Sequence, residues 1–391
     1  MSTTRRTRNL SATFVAIGVV LTAFQPTTAL AATEQVLQPP ADIGELSATL
    51  KAVITERNQQ ILSDPATSSS RTQLQLFSAK SKAKVAAEYD ELKARKTRLA
   101  AYGQGYSSVI TTFESEIFKF EAERASAEIT ERTDLTYTTG GPPESYRYEQ
   151  IVEFTKTDSG WTIDSVKPKN EGGLPPSTVV SAAQLAPAPG ARKPLILGPG
   201  QVATEAKASA PNSHVPQTKP GTGPKSDQEV TLAAGYNYTA MTNYALNWAL
   251  GRNGAYRSFG NDCQNFVSQS LKTGGWADQG GWYTYDNSWW YTFANQTYSW
   301  VGAQNFRNFA VGQGRVSYLS DLNDLGPADV LQVHWPEGTP DVDHSMFVTY
   351  SPWSAGTRDI RVSYHTTDTL NRSIWNLYSS FPYATWYGLR T

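Results

Sequence analysis

Cys263 is the only thiol in 391 residues, and the chain has four histidines, His214, His334, His344 and His365. The thiolate is the competent cysteine nucleophile, and an ordinary thiol is mostly protonated at neutral pH. Two things shift that balance: the positive end of a helix dipole and a neighbouring imidazolium. In the run Asp262 to Leu271, Phe266, Val267, Ser270 and Leu271 share a helical face with Cys263, and Gly274-Gly275 ends the run. Cys263 is therefore expected in the first turn of a helix, where its own N–H is a natural oxyanion donor. Asp262 reads as a cap acting through its carboxylate. Asn261 is a candidate second oxyanion donor. A lone thiol also fits a buried, inert side chain.

Three histidines compete for the role of base. His334 ends the alternation Val330, Gln332, His334. His344 begins the strand-like Ser345-Met346-Phe347-Val348-Thr349. His365 closes Ile360-Arg361-Val362-Ser363-Tyr364. Asp343 adjoins His344, so on a strand it points to the other face and is a poor orienter. His214 lies in a proline-rich stretch and belongs to no element.

These residues need elements to hold them. Ala240, Tyr244, Ala245 and Trp248 mark a helix over 237–250, with Gly251 as its stop. Short strands are expected at 329–333, 345–350, 360–365 and 383–389. Upstream, Ile43, Leu46, Leu50, Ile54 and Ile61 have helical spacing, and a second helix is expected over 72–99. Alternation at Ala125, Ala127, Ile129, then Tyr148, Gln150, Val152, Phe154, then Trp161, Ile163 predicts strands. The fold class is α+β in both regions.

Two resemblances follow from these residues. Tyr256, Asp262-Cys263, Asn265-Phe266-Val267-Ser268-Gln269, Gly326-x-x-Asp329-Val330, Asp343-His344 and Tyr364-His365-Thr366-x-Asp368-x-x-Asn371-Arg372 together resemble the amidase domain of the papain-like cysteine peptidase superfamily. That superfamily includes the NlpC-type and CHAP amidohydrolases. The resemblance implies a cysteine-bearing helix on a small antiparallel sheet over about 232–391. It implies Cys263 as nucleophile, His344 as base and acid, and His365 as the group that orients the imidazole. His334 stands where relatives often carry an acid, which leaves it a competitor to His344. Separately, Phe154-x5-Gly160-Trp161-x-Ile163 resembles the last strands of a nuclear-transport-factor-like cone.

Composition sets the remaining bounds. Net charge is −1, so nothing asks for nucleic acid or an anionic surface. No metal-ligand spacing, phosphate loop or cofactor motif is present. Arg5, Arg6 and Arg8, an apolar run and Ala29-Leu30-Ala31 read as a signal peptide over 1–31, by the Sec or the twin-arginine route. Half of the 22 prolines fall within 168–228, which predicts an extended linker to about 229 between an accessory domain (32–167) and the amidase-like domain (230–391). A single cysteine excludes an internal disulfide.

The expectation is a secreted cysteine amidohydrolase without a membrane anchor, acting on cell-wall peptide or another amide. Two alternatives remain open: a transamidase on the same dyad, and a non-catalytic wall- or glycan-binding protein. The Trp- and Tyr-rich stretch 282–300 reads either as core packing or as a wall for sugars or peptide.

Overall fold

The computed structural model describes residues 43–64, 74–170, 172–186, 235–336, 341–354 and 357–391. The expected leader, most of the linker and His214 lie outside these residues.

Helix α1 (Ile43–Gln59) buries Leu46, Leu50, Val53 and Ile54, and helix α2 (Ala79–Ala101) buries Val85, Leu92 and Leu99. Both apolar stripes follow the helical repeat. Strands β1 (Tyr106–Glu121), β2 (Arg124–Tyr137), β3 (Glu144–Thr157) and β4 (Gly160–Pro168) form an antiparallel meander. Its inward residues Ala127, Ile129, Val152, Phe154 and Ile163 share a core with α1 and with Val85 of α2. The pattern-based reading misses β1. Its alternation is blurred because Ile110 and Ile117 stand in water.

The linker does not begin at residue 168, as composition suggested. Leu174, Ser177, Thr178 and Val180 are buried, and a short helix α3 (Ala182–Leu185) follows. Buried Arg95 holds this segment through Ser177 O at 2.7 Å and Val179 O at 3.1 Å.

The C-terminal region contributes α4 (Tyr238–Trp248), α5 (Cys263–Thr273), α6 (Tyr298–Val301), α7 (Ala303–Gly312) and α8 (Ile374–Ser380). Its strands are β5 (Ser317–Tyr318), β6 (Val330–His334), β7 (His344–Tyr350), the hairpin β8 (Trp353–Ser354) and β9 (Thr357–Arg358), β10 (Arg361–Tyr364), β11 (Asp368–Ser373) and β12 (Thr385–Arg390).

The two regions are not separate bodies. The first residues of β3, Ser145 to Arg147, pair with Leu370 to Asp368 of β11, while Gln150 to Thr157 pair with β4. One sheet of ten strands results, in the order β1-β2-β3-β11-β10-β7-β6-β12-β5 with β4 beside β3. A buried polar cluster seals the joint. Glu144 accepts hydrogen bonds from the Tyr106 and Tyr137 hydroxyls at 2.5 and 2.8 Å, and Tyr137 Oη in turn accepts from Ser373 N at 2.7 Å. Fully buried Arg372 donates to Pro175 O, Asn376 Oδ1 and Tyr364 Oη at 2.8 to 2.9 Å. Buried groups satisfied in this way are costly to separate.

Candidate active site

Cys263 is the first residue of α5, as its apolar spacing implies. Asp262 occupies the cap position, but its carboxylate bonds no helical N–H. It accepts instead from Phe259 N at 3.1 Å, Asn265 Nδ2 at 2.8 Å and His365 Nδ1 at 2.7 Å, with Arg252 Nε at 3.3 Å. The helix-cap expectation for Asp262 thus gives way to a fully buried carboxylate that ties the loop before α5 to β10. Arg252 continues the chain of charges to Asp368 at 2.8 Å.

His365 was expected to orient the base with its ring. The ring is committed elsewhere: Nδ1 meets Asp262, Nε2 meets Trp248 O at 2.8 Å, and one face packs on Phe266 at 4.3 Å. The backbone carbonyl of His365 is what faces His344 Nε2, at 3.2 Å. A carbonyl only accepts, so Nε2 carries the proton and Nδ1 holds the basic lone pair.

Nδ1 is buried and has no well-aligned hydrogen-bond partner among the described residues. The Ser345 backbone is close enough to act on the ring's charge without satisfying that nitrogen. Tyr364 stands edge-on to the ring at 5.3 Å.

The same Ser345 backbone also hydrogen-bonds the Cys263 thiol. Along β7, Phe347 packs with Phe266 and Val267 of α5, whereas Met346 and Val348 enter the core shared with Tyr146 and Tyr364. By strand alternation His344 shares the second face. Thiol and imidazole therefore flank one peptide, and no S···N hydrogen bond joins them. The thiol donates to Asn261 Oδ1 at 3.6 Å.

Asn261 also accepts from Thr366 Oγ1 at 3.1 Å. It presents an acceptor to the thiol, the opposite of the oxyanion donor expected of it; free N–H groups of the first turn of α5 remain for that task. Thr366 is a residue that pattern reading leaves without a role. Its φ is +84°, a conformation that a β-branched residue rarely adopts. Its hydroxyl accepts from Asp262 N at 3.0 Å and contacts the thiol, so strain is held where three polar groups converge.

Burial sets the resting electrostatics. It pushes the Cys263 thiol up to about 11, against hydrogen bonds from the Ser345 and Gln264 backbone, while the Asp262 charge pushes the same way as burial. It pushes His344 down to about 4, with the Arg372 charge adding to that direction. Both groups therefore rest neutral. His334 sits beside Val333, the β6 partner of His344, but its ring is engaged elsewhere: its Nδ1 meets Asp341 O at 2.7 Å and Asp343 Oδ2 at 3.3 Å. Among the described residues no group of three His, Cys, Asp or Glu side chains could hold a metal ion, and no helix is long and apolar enough to cross a membrane.

Residues 235–388 match a family model described as "Putative amidase domain". Over these residues the C-terminal region is similar to this amidase family. The match points to amidase-type hydrolysis of a C–N bond. Two curated relatives come from Bacillus subtilis strain 168. The uncharacterized protein YjcM is 28% identical over 153 residues, covering 36% of this chain and 33% of that protein. The uncharacterized protein YhbB is 28% identical over 122 residues, covering 29% and 37%. The chain thus spans about a third of the length of each. Among solved structures, a nuclear transport factor 2-like superfamily protein from Salmonella enterica serovar Typhimurium LT2 aligns over 33% of this chain and 92% of its own, with 12% identity and a TM-score of 0.25.

Proposed function

We propose that the amidase domain is a cysteine amidohydrolase with Cys263 as nucleophile and His344 Nδ1 as its base. The observation that carries the reading is the tautomer. The His365 carbonyl keeps the proton on Nε2, which leaves an unpaired basic nitrogen buried beside the peptide that also bonds the thiol. An unsatisfied buried nitrogen costs about 1–3 kcal/mol, and such costs concentrate at sites of chemistry.

In the reaction the thiol leaves Asn261 and the start of β7 must turn, bringing the His344 ring round the Ser345 peptide from the opposite face of the strand. The thiol proton passes to Nδ1 as sulfur bonds the amide carbonyl, and the carbonyl oxygen becomes an oxyanion held by N–H groups at the start of α5. Collapse breaks the C–N bond, and the amine leaves with the proton from His344. Water, deprotonated by His344, then opens the thioester and restores the thiol. Cell-wall peptide is the substrate class proposed and export from the cell the localisation proposed, and the leader-like sequence of residues 1–31 supports both.

One observation favours a second reading, a non-catalytic binding protein on an amidase scaffold: the thiol is buried and bonded to Asn261 rather than to His344. The experiment incubates the full chain with muropeptides and with acyl-amino-acid anilides, followed by intact-mass analysis. Hydrolysis with an acyl adduct on Cys263, both absent from Cys263→Ala, supports the amidohydrolase. Turnover of none of these substrates, or turnover unchanged in Cys263→Ala, overturns it.

A further inference from the structure

The aromatic stretch after α5 divides in two. Trp276, Trp289 and Trp300 are buried against Phe306, Phe309 and α5. Trp282, Tyr285, Phe293 and Tyr298 stand in water, 61%, 58%, 80% and 47% exposed. Trp282, Tyr283 and Tyr298 are contiguous: Trp282 meets Tyr283 at 5.1 Å, and Tyr283 meets Tyr298 edge-on at 5.6 Å. Scattered exposed apolar residues need no explanation, but a contiguous aromatic patch marks a binding surface.

The platform is built rather than loose. Trp290 Nε1 donates to Gly281 O at 3.0 Å, Ser288 Oγ donates to Trp282 O at 2.8 Å, and Tyr298 N donates to Tyr283 O at 2.8 Å. The rings are therefore held before any ligand arrives, which lowers the entropic cost of binding.

Charge tells what the surface fits. From Gln279 to Phe306 the only charged residue is Asp286, and its carboxylate is occupied by Asn305 Nδ2 and Asn308 Nδ2 at 2.9 and 2.7 Å. The surroundings are amides: Gln279, Asn287, Asn295, Gln296 and Gln304. The two arginines that reach this stretch are engaged by it, Arg257 with Ala294 O and Gln296 Oε1 and Arg315 with Ala277 O and Gln279 Oε1, so an acidic polymer meets cations already committed to amides and carbonyls. Flat aromatic faces beside neutral amides complement a ligand with C–H faces and hydroxyl or acetamido edges.

We infer that Trp282, Tyr283, Tyr285 and Tyr298 form a binding platform for an uncharged glycan, distinct from the thiol site. The platform does not depend on the thiol chemistry, so Cys263→Ala keeps it.

The test titrates the full chain with cellohexaose, laminarihexaose and a hexamer of N-acetylglucosamine, by calorimetry and tryptophan emission. The variants are Trp282→Ala, Tyr298→Ala and Cys263→Ala, with circular dichroism confirming the fold. The expected result is saturable binding of at least one oligosaccharide, weakened tenfold or more by Trp282→Ala and by Tyr298→Ala and unchanged in Cys263→Ala. No binding at millimolar sugar, or binding indifferent to both aromatic variants, overturns the inference. So does binding of neutral phosphatidylcholine vesicles lost in the same variants, which would make the patch a lipid contact. Self-association lost in the same variants, seen by sedimentation, would make it a contact between copies and overturn it too.

Discussion

The sharpest prediction concerns the pH dependence of Cys263 alkylation. Burial moves the thiol from 9.0 to about 11. Each unit is a factor of ten in the ionised fraction, so at pH 7 the thiolate population falls about 100-fold below that of an unburied thiol. The neutral His344, pushed from 6.5 to about 4, supplies no positive charge to recover it. The rate with iodoacetamide should therefore rise with unit slope per pH unit from pH 6 to beyond pH 9, with no plateau. Restricted access to the buried sulfur lowers every rate by the same factor and leaves the slope unchanged, so the slope is the readout. His344→Ala should leave the slope as it is. A plateau reached by pH 5–6 and abolished in His344→Ala would show a resting thiolate–imidazolium pair. The neutral-pair reasoning would then fail, because burial would have lost to the helix terminus and the imidazole.

Stability should fall at both ends of the pH scale. Below pH 6.5 the unfolded chain protonates His344 and the folded chain does not, so stability declines by up to about 3 kcal/mol as pH falls to 4. Above pH 9 the unfolded chain ionises Cys263 and the folded one does not, which costs a similar amount, about 3 kcal/mol, by pH 11. Urea unfolding should show a weaker acid limb in His344→Gln and a weaker alkaline limb, chiefly between pH 9 and 10, in Cys263→Ala; buried Tyr106, Tyr137 and Tyr146, whose hydroxyls burial also pushes up, keep the rest of the alkaline limb. Asp262→Ala leaves His365 and Arg252 without their buried carboxylate and should lower stability by about 3–5 kcal/mol, read from the urea midpoint. Residues 230–391 expressed alone expose the β11 edge and strip Arg372 of Pro175 O; they should aggregate on gel filtration where the full chain is monodisperse. His365→Asn keeps the backbone carbonyl toward His344 but loses the Asp262 partner, so it should destabilise without changing the slope of the alkylation profile.

Local pattern reaches the elements of the site and stops short of their assembly. Cys263 heads a helix because Phe266, Val267, Ser270 and Leu271 line one face and Gly274 ends it, and all of that lies within one segment. His344 heads a strand for the same kind of reason. The joint between the regions has no local signature. Ser145, Tyr146 and Arg147 pair with Leu370, Thr369 and Asp368 through backbone groups that every sequence carries, across more than 200 residues. The proline-rich composition of 168–186 suggested extended chain, yet the Arg95 and Tyr146 side chains hold Val179 O and the Thr178 hydroxyl in place. Composition registers flexibility but not a distant arginine.

The site shows a related limit, at the level of atoms. The motif selects His365, but its ring serves Asp262 and Trp248 while its carbonyl serves His344. A residue letter does not say which of its groups faces the chemistry. Thr366 is less legible still. A left-handed backbone suggests Gly or Asn, and a threonine there signals its strain only once φ is known. The thiol's protonation follows the same rule. The helix start argues for a depressed value and is visible in the sequence, whereas the burial that raises it to about 11 comes from tertiary packing, and hydrogen bonds from Ser345 and Thr366, far along the chain, only partly offset it. Desolvation wins because a fully buried anion loses its hydration on every side, while the helix terminus and two backbone N–H groups restore only part of it. In the proposed reaction the charge moves from sulfur to the carbonyl oxygen at the start of α5, so activation of the thiol would belong to the substrate complex rather than to the free protein.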